Sequence, residues 1–442
     1  EGAPPTVLVL DRLQQRAAVL AVDARSGKTR VLHEERDEAW VNLFPGGLRW
    51  VDGGAAFLWA TERDGDWALE LHNAKDGATK TILPAGAGPR AVVHVDDAKR
   101  NVYFVGGPEP TEGELYRVSL DGGAPVSVLK APGGGLVNAR FGKGAPAFVA
   151  HVAPRTGPAR TVVVSMEGKE LAVVPSVAET PPMEPQVELT RAGKDDLRVA
   201  IVRPRSFTKG RKYPVIDSAY GGPHSVRVEA PATGYLKAQW LADAADAVVV
   251  VIDAKGTPRR GRAFERAIGK RFGEVPVEGH VEALKALGER YPELDLARVG
   301  VVGWSYGGFF SAYALLARPD VYKVAVAGAP PVDWRDYDTA YTERYLGLPD
   351  GDAGAKVYDE SSPLRFLTGQ TPVPEHRKLL VVHGTADDNV FFSNSLRLID
   401  ALDRAGYPYR FMPLMGQTHM VTDPALIEAE SRQTVEFFRQ HL

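Results

Sequence analysis

RVGVVGWSYGGFFSAYALLARP, residues 298–319, decides the fold. An almost wholly apolar run (298–302) leads into Gly303-Trp304-Ser305-Tyr306-Gly307-Gly308, and a helical pattern follows. A G-x-S-x-G between a strand and a helix is the context of a nucleophile elbow. The turn is so tight that the neighbours of the serine must be small. The Ser305 hydroxyl is then expected to stand above the sheet. The helix start should turn free N–H groups, and a positive dipole end, toward a developing negative charge.

Similar apolar runs flank this one: YPVIDSA (213–219), AVVVVID (247–253), KVAVAGA (323–329), KLLVVHG (378–384) and YRFMPLM (409–415). Runs this short and this apolar fit strands buried on both faces of a parallel sheet. Helical patterns alternate with them. EGHVEALKALGER (278–290) gathers Val281, Leu284 and Leu287 on one side. SNSLRLIDALDRAG (393–406) opens on a capping Ser and closes at Gly, and the chain ends in ALIEAESRQTVEFFRQHL (425–442). The alternation predicts a doubly wound α/β domain, preceded by a hairpin over 187–204.

A serine at its ordinary pKa is a poor nucleophile and needs a base and an orienting acid. In this fold they follow in the order Ser, Asp/Glu, His. The run ending at Gly384 continues into Thr385-Ala386-Asp387-Asp388-Asn389, and the next run ends in Gly416-Gln417-Thr418-His419. Each lies just past the carboxyl end of a strand, where open α/β sheets place their sites. His419 would take the Ser305 proton, and a carboxylate would hold its other ring nitrogen. Asp387 is the choice for that carboxylate, with Asp388 the alternative. His383 reads as a structural residue that closes its strand.

The first part of the chain has a different pattern. LAVDARSGKTRVL (20–32), ELHNAKDGATKTIL (70–83), YRVSLDGGAPVSVL (116–129) and VVVSMEGKELAVV (162–174) each read as strand, turn, strand. The turn glycines Gly27, Gly77, Gly123 and Gly168 recur every 45–50 residues or so, a spacing that suits propeller blades of four strands. About four blades are predicted over 1–178; a β-sandwich with coincidental spacing is the alternative. The remaining blades are expected upstream of this chain. The Pro-rich stretch ETPPMEPQ (179–186) marks the start of the second domain, 179–442.

Composition excludes several classes. A formal charge of −3, from 53 basic and 56 acidic residues, gives no support to a nucleic-acid binder. The run Arg259, Arg260, Arg262, Arg266, Lys270, Arg271 lacks interleaved aromatics and reads as a solvated loop and helix face. With no cysteine there is no disulfide and no thiolate chemistry.

Tyr220-Gly221-Gly222-Pro223, GWSYGG, HGTADDNV (383–390) and Gln417-Thr418-His419 together resemble the prolyl oligopeptidase clan of serine peptidases. DWRDYDTAYTERYLGLP (333–349) narrows the resemblance to the dipeptidyl peptidase IV family and its bacterial members. The resemblance implies an α/β-hydrolase domain behind an N-terminal β-propeller, and release of N-terminal X-Pro or X-Ala dipeptides through an acyl-enzyme. It implies Ser305, Asp387 and His419 as the triad, favouring Asp387 over Asp388. The Tyr220 hydroxyl and the Tyr306 N–H would form the oxyanion hole. Val332, Trp334, Tyr337, Tyr341 and Val390 would receive a proline ring, and Asn389 the carbonyl of the residue before it. No metal or organic cofactor is implied. The partners are peptides with proline or alanine second, and a second copy of the chain through the last helix, where Phe437 and Phe438 suit either that contact or the core. The resemblance favours a periplasmic or secreted location, with the cytoplasm as the alternative.

Two departures stand out. The family anchors the substrate amine with two glutamates on a propeller insertion near an arginine, and no segment here matches them. Glu34-Glu35 reads as a surface loop, so the anchor is expected upstream. Asp253-Ala254-Lys255-Gly256 stands where relatives carry an Asn-Arg or Gly-Arg pair before Gly. The competing readings are an oligopeptidase, tripeptidyl peptidase or acylaminoacyl peptidase of the same clan, an esterase, and a non-catalytic propeller scaffold.

Overall fold

The turn glycines of the first half all take left-handed backbone, with φ of 70° at Gly27, 74° at Gly77, 116° at Gly123 and 92° at Gly168. A tight turn with φ > 0 costs glycine no Cβ clash, so each folds its hairpin back. The result, in a computed structural model describing residues 2–368 and 378–442, is four antiparallel sheets in chain order. The first holds β1 (Thr6–Leu10), β2 (Arg16–Val22) and β3 (Thr29–Arg36). The second holds β4 (Arg49–Val51), β5 (Ala56–Thr61), β6 (Ala68–Asn73) and β7 (Thr79–Leu83). The third holds β8 (Pro89–Asp96), β9 (Asn101–Gly106), β10 (Glu114–Ser119) and β11 (Val126–Leu129). The fourth holds β12 (Gly135–Phe141), β13 (Ala147–Pro154), β14 (Arg160–Ser165) and β15 (Glu170–Val174).

Each sheet packs face to face on the next. Val19 meets Phe57 and Trp59; Leu58 and Leu69 meet Val102 and Phe104; Tyr103 and Val105 meet Phe148 and Val162. Alternate residues of one strand therefore serve two neighbouring cores, which is how propeller blades stack. Glu34 and Glu35 correct the surface-loop expectation. Both lie in β3, and Glu35 is buried, accepting hydrogen bonds from Trp59 Nε1 at 3.0 Å and Thr61 Oγ1 at 3.1 Å. Glu34 pairs with Arg16 and Arg36.

The chain divides into two units. One runs to Glu184 and also takes Glu229–Gly234 and Arg259–Ala263; the other holds Pro185–Val228, Tyr235–Pro258 and Phe264–Leu442. The short excursions belong to the first unit through specific bonds. Arg262 Nε donates to Asp37 at 2.6 Å, Arg259 pairs with Glu229 at 2.8 Å, and the Ala230 N–H donates to the Thr111 carbonyl at 2.9 Å. Within the arginine run, Arg259, Lys270 and Arg271 are exposed as expected, whereas Arg262 is paired and the Arg266 side chain is only 10% exposed, which corrects the solvated reading at those two positions.

The second unit is built on one eight-stranded sheet of order β16-β17-β19-β18-β20-β21-β22-β23. The strands are β16 (Val187–Ala192), β17 (Leu197–Val202), β18 (Tyr213–Ser218), β19 (Val248–Asp253), β20 (Leu294–Trp304), β21 (Tyr322–Gly328), β22 (Lys378–Gly384) and β23 (Tyr409–Leu414). The β16–β17 hairpin joins antiparallel; every pair from β19 to β23 is parallel. The helices are α1 (Leu236–Ala245), α2 (Arg262–Arg266), α3 (Glu274–Arg290), α4 (Tyr306–Ala317), α5 (Thr339–Leu346), α6 (Gly351–Glu360), α7 (Ser393–Arg404) and α8 (Pro424–His441). On one face Val249, Val251, Val324, Val326 and Val382 pack with Leu241 of α1 and Val435, Phe437 and Phe438 of α8. The alternate residues, such as Val250 and Ala325, turn to the other face, which α3 and α4 cover. Phe437 and Phe438, at 2% and 1% exposure, thus belong to the core.

One helix end differs from its expectation. Ser393 is the first helical residue of α7 rather than its cap, and no side chain caps that end. Asp423 does cap α8, accepting the Ala425 N–H at 2.9 Å. Among the described residues no helix is long and apolar enough to cross a membrane.

Candidate active site

Parallel register brings the site together. Ser218 pairs with Val302, Trp304 with Gly328, Gly328 with Val382, and Gly384 with Leu414. The carboxyl ends of β18, β20, β22 and β23 therefore align along one edge. The loops that leave them carry Tyr220, Ser305, Asp387 and His419, the arrangement open α/β sheets use.

Ser305 sits between β20 and α4 with φ 60° and ψ −121°, a conformation a non-glycine residue seldom adopts. The strain is held by hydrogen bonds from Ser305 N to Gly328 O at 2.8 Å and from Phe309 N to Ser305 O at 3.0 Å. The elbow also needs its glycines. A Cβ on Gly303 would come within 2.5 Å of the Ala219 carbonyl oxygen, and nearer still to that of Gly307. Both obstacles are backbone and cannot swing aside. Gly303→Ala is expected to cost about 3 kcal/mol, read by urea unfolding. Gly234→Ala, where a Cβ meets nothing within 4 Å, should stay within about 0.5 kcal/mol.

His419 Nδ1 lies 2.7 Å from Asp387 Oδ2, and Asp387 Oδ1 accepts the N–H groups of Asn389 and Val390, each at 2.9 Å. Burial alone would raise the Asp387 carboxyl. Hydrogen bonds from His383, His419 and the Asn389 N–H outweigh it and hold the group well below the usual carboxylate range. Asp388 is exposed. Trp304, the residue before the serine, donates its indole N–H to the His419 carbonyl at 3.0 Å and so ties the two segments together. His383 and this indole bond are contacts that sequence reasoning missed.

Tyr220 stands beside the elbow, its ring centroid 5.9 Å from that of Tyr306. Gly222 makes the approach possible, since a Cβ there would fall 2.7 Å from the Tyr306 ring. Burial pushes the Tyr220 hydroxyl up, so it stays protonated and able to donate. Tyr306 is the first residue of α4, so its N–H has no acceptor within the helix. Its own hydroxyl donates elsewhere, to the Phe272 carbonyl at 2.8 Å.

The residues expected to form the ring pocket come from the exit of β21, from α5 and from the turn after Asp387, and they pack as one cluster. Trp334 and Tyr337 meet edge to face at 5.8 Å, Tyr337 and Tyr341 at 5.4 Å, and Trp334 lies 5.6 Å from Tyr306. Val332 and Val390 are fully buried, and Asn394 Oδ1 accepts the Val332 N–H at 2.9 Å. Phe272, 4.9 Å from Trp334, completes the aromatic cluster and was not anticipated. Tyr337 donates its hydroxyl to Asn389 Oδ1 at 2.8 Å, which leaves the Asn389 Nδ2 hydrogens to reach a ligand carbonyl. The unusual Asp253-Ala254-Lys255-Gly256 has two attachments: Asp253 accepts the N–H groups of Arg227 and Val228 at 2.9 Å, and Lys255 pairs with Asp195 at 2.7 Å.

Both parts of the chain resemble known proteins. Residues 232–442 match the prolyl oligopeptidase family, and residues 5–156 match the dipeptidyl peptidase IV N-terminal region. Human dipeptidyl peptidase 8 is 36% identical over 244 residues, 55% of this chain and 27% of the relative. Venom dipeptidyl peptidase 4 of Apis mellifera is 26% identical over 438 residues, 92% of this chain and 55% of the relative. The crystal structure of Porphyromonas gingivalis dipeptidyl peptidase 4 superposes with a TM-score of 0.87 at 25% identity, covering 99% of this chain and 62% of that one. The chain thus spans less than two thirds of the length of each. With a G-x-S-x-G elbow, an Asp–His pair at the sheet's carboxyl edge and blade-like sheets before them, the chain belongs to the dipeptidyl peptidase IV family of prolyl oligopeptidase-type serine peptidases.

Proposed function

We propose that the protein is a serine exopeptidase that releases N-terminal X-Pro or X-Ala dipeptides from peptides. The observation that carries the reading is the Asp387–His419 bond of 2.7 Å on the same sheet edge as the Ser305 elbow. His419 Nε2 takes the Ser305 proton as Oγ attacks the carbonyl carbon of the second residue. The oxyanion gathers the Tyr220 hydroxyl and the Tyr306 N–H. His419 then gives its proton to the leaving amine, and the dipeptide remains as an ester on Ser305. Water, deprotonated by His419, attacks the ester and frees the acid. Trp334, Tyr337, Tyr341, Val332 and Val390 favour proline because its ring is apolar and brings no N–H that needs a partner. Asn389 would hold the carbonyl of the first residue.

Glu34 and Glu35 are both committed to protein partners, so neither is offered as the amine anchor. The reading includes a homodimer, for which Leu396 on α7 and Ile427 on α8 leave apolar surface exposed. Hydrolysis of Gly-Pro-p-nitroanilide and its N-acetyl derivative tests the exopeptidase claim. Only the free-amine substrate is expected to react. Equal cleavage of the blocked one would make the protein an oligopeptidase or acyl-peptide-releasing enzyme with the same triad.

A further inference from the structure

His383 ends β22 and is fully buried. In space it lies on the carboxylate that faces His419. Its Nε2 is 3.2 Å from Asp387 Oδ2 and 2.9 Å from the Val390 carbonyl oxygen. A carbonyl oxygen only accepts, so Nε2 carries the proton and donates to both. Nδ1 is 2.7 Å from Ser395 Oγ and accepts the serine hydroxyl. Ser395, in the first turn of α7, has no exposure. Two fixed neighbours therefore set one tautomer.

Asp387 consequently takes four donors. His419 Nδ1 and His383 Nε2 share Oδ2, while two backbone N–H groups share Oδ1. The carboxylate side chain is 0% exposed, so protein donors do the work of solvent. We propose that His383 is a positioning residue: as the second histidine on Asp387, it draws charge from the oxygen that faces His419 and thereby sets the basicity of His419. The same N–H holds the Val390 carbonyl, linking the acid to the pocket wall. This inference rests on reading Ser305, Asp387 and His419 as the triad.

The sign follows from charge sharing. With the His383 donor gone, more of the negative charge at Oδ2 falls on His419 alone, and the imidazolium is favoured. The acid limb of kcat/KM, which reports a neutral base in the free enzyme, moves to higher pH. Asp387, Ser395 and the Phe392 ring face His383; Asp387 and the Trp304 ring face His419; the Tyr337 hydroxyl is a further titratable group close to Asp387.

The test is the pH profile of Gly-Pro-p-nitroanilide hydrolysis by the full chain. His383→Phe fills the ring volume and donates nothing. It should raise the acid limb by about half a pH unit to one unit. It should also lower kcat/KM about tenfold near the limb. His383→Gln restores an N–H donor and should return the limb to within about 0.2 unit. Ser395→Ala is a milder variant that keeps the test open should His383→Phe not fold. Without the serine hydroxyl polarising the ring, Nε2–H is a weaker donor, and the limb should rise a few tenths of a unit. A limb that stays or falls in His383→Phe or Ser395→Ala, or that rises as far in His383→Gln as in His383→Phe, overturns the role. Ser305→Ala run alongside separates the failures. An active Ser305→Ala removes the triad reading and this inference with it; an unmoved limb with an inactive Ser305→Ala removes this inference alone.

Discussion

Ser305→Ala should lower kcat for Gly-Pro-p-nitroanilide by about 10⁵-fold, with KM changed less than about threefold. In the proposed mechanism the hydroxyl is the atom that forms the acyl-enzyme, and alanine offers no atom to replace it. In the same proposal, binding rests on groups the substitution leaves in place: the aromatic cluster, the Asn389 amide and the oxyanion donors. Alanine at φ 60° bears the same backbone strain as serine, so the unfolding midpoint should not move. Turnover within about tenfold of the parent protein would show that another group attacks the carbonyl, and the mechanism would have to be abandoned.

Asp387→Asn should cost about 10³–10⁴-fold in kcat, and Asp388→Asn less than about twofold. The amide can still accept the Asn389 and Val390 N–H groups through one oxygen. Its NH₂ then faces His419 Nδ1 and His383 Nε2, both of which are donors toward this position. His419 must present a lone pair at Nδ1 and carry its proton on Nε2. In that tautomer it cannot take a proton from Ser305. Asp388 is exposed. Assaying both variants at several pH values decides between the two aspartates. Equal losses would mean that the turn, rather than the carboxylate on His419, is what matters.

The sheet of the second unit was legible because its central strands are buried almost throughout. AVVVVID and KLLVVHG have no polar face to offer, and both lie inside a parallel sheet. The elbow was legible because its glycines are sterically required, as Gly303 shows. Triad order and loop position singled out His419 among ten histidines. The part played by His383 was not legible. A histidine at a strand end reads alike whether it touches solvent, a carbonyl or a carboxylate. Here the partners are Val390, on the turn, and Ser395, on the following helix. Glu35 was misread for a related reason. Its alternation within β3 gives no sign that Trp59 and Thr61 of the next sheet supply donors. Partners across a fold carry no local pattern, whereas periodicity and turn chemistry do.

The discontinuity of the first unit bears on synthesis. Asp37 must wait for Arg262, 225 residues later, and Thr111 for Ala230. A ribosome that has released all four sheets has still not released the chain that finishes them. Blade hairpins with local pairing can form as they emerge, but these bonds close only after β16 to β18 of the second unit, and for Arg262 β19 as well, have been translated. A chain ending at 178 would leave Asp37 without its arginine. The two halves therefore make poor candidates for separate expression, and a nascent chain stalled between them is the species on which chaperones would be expected to act.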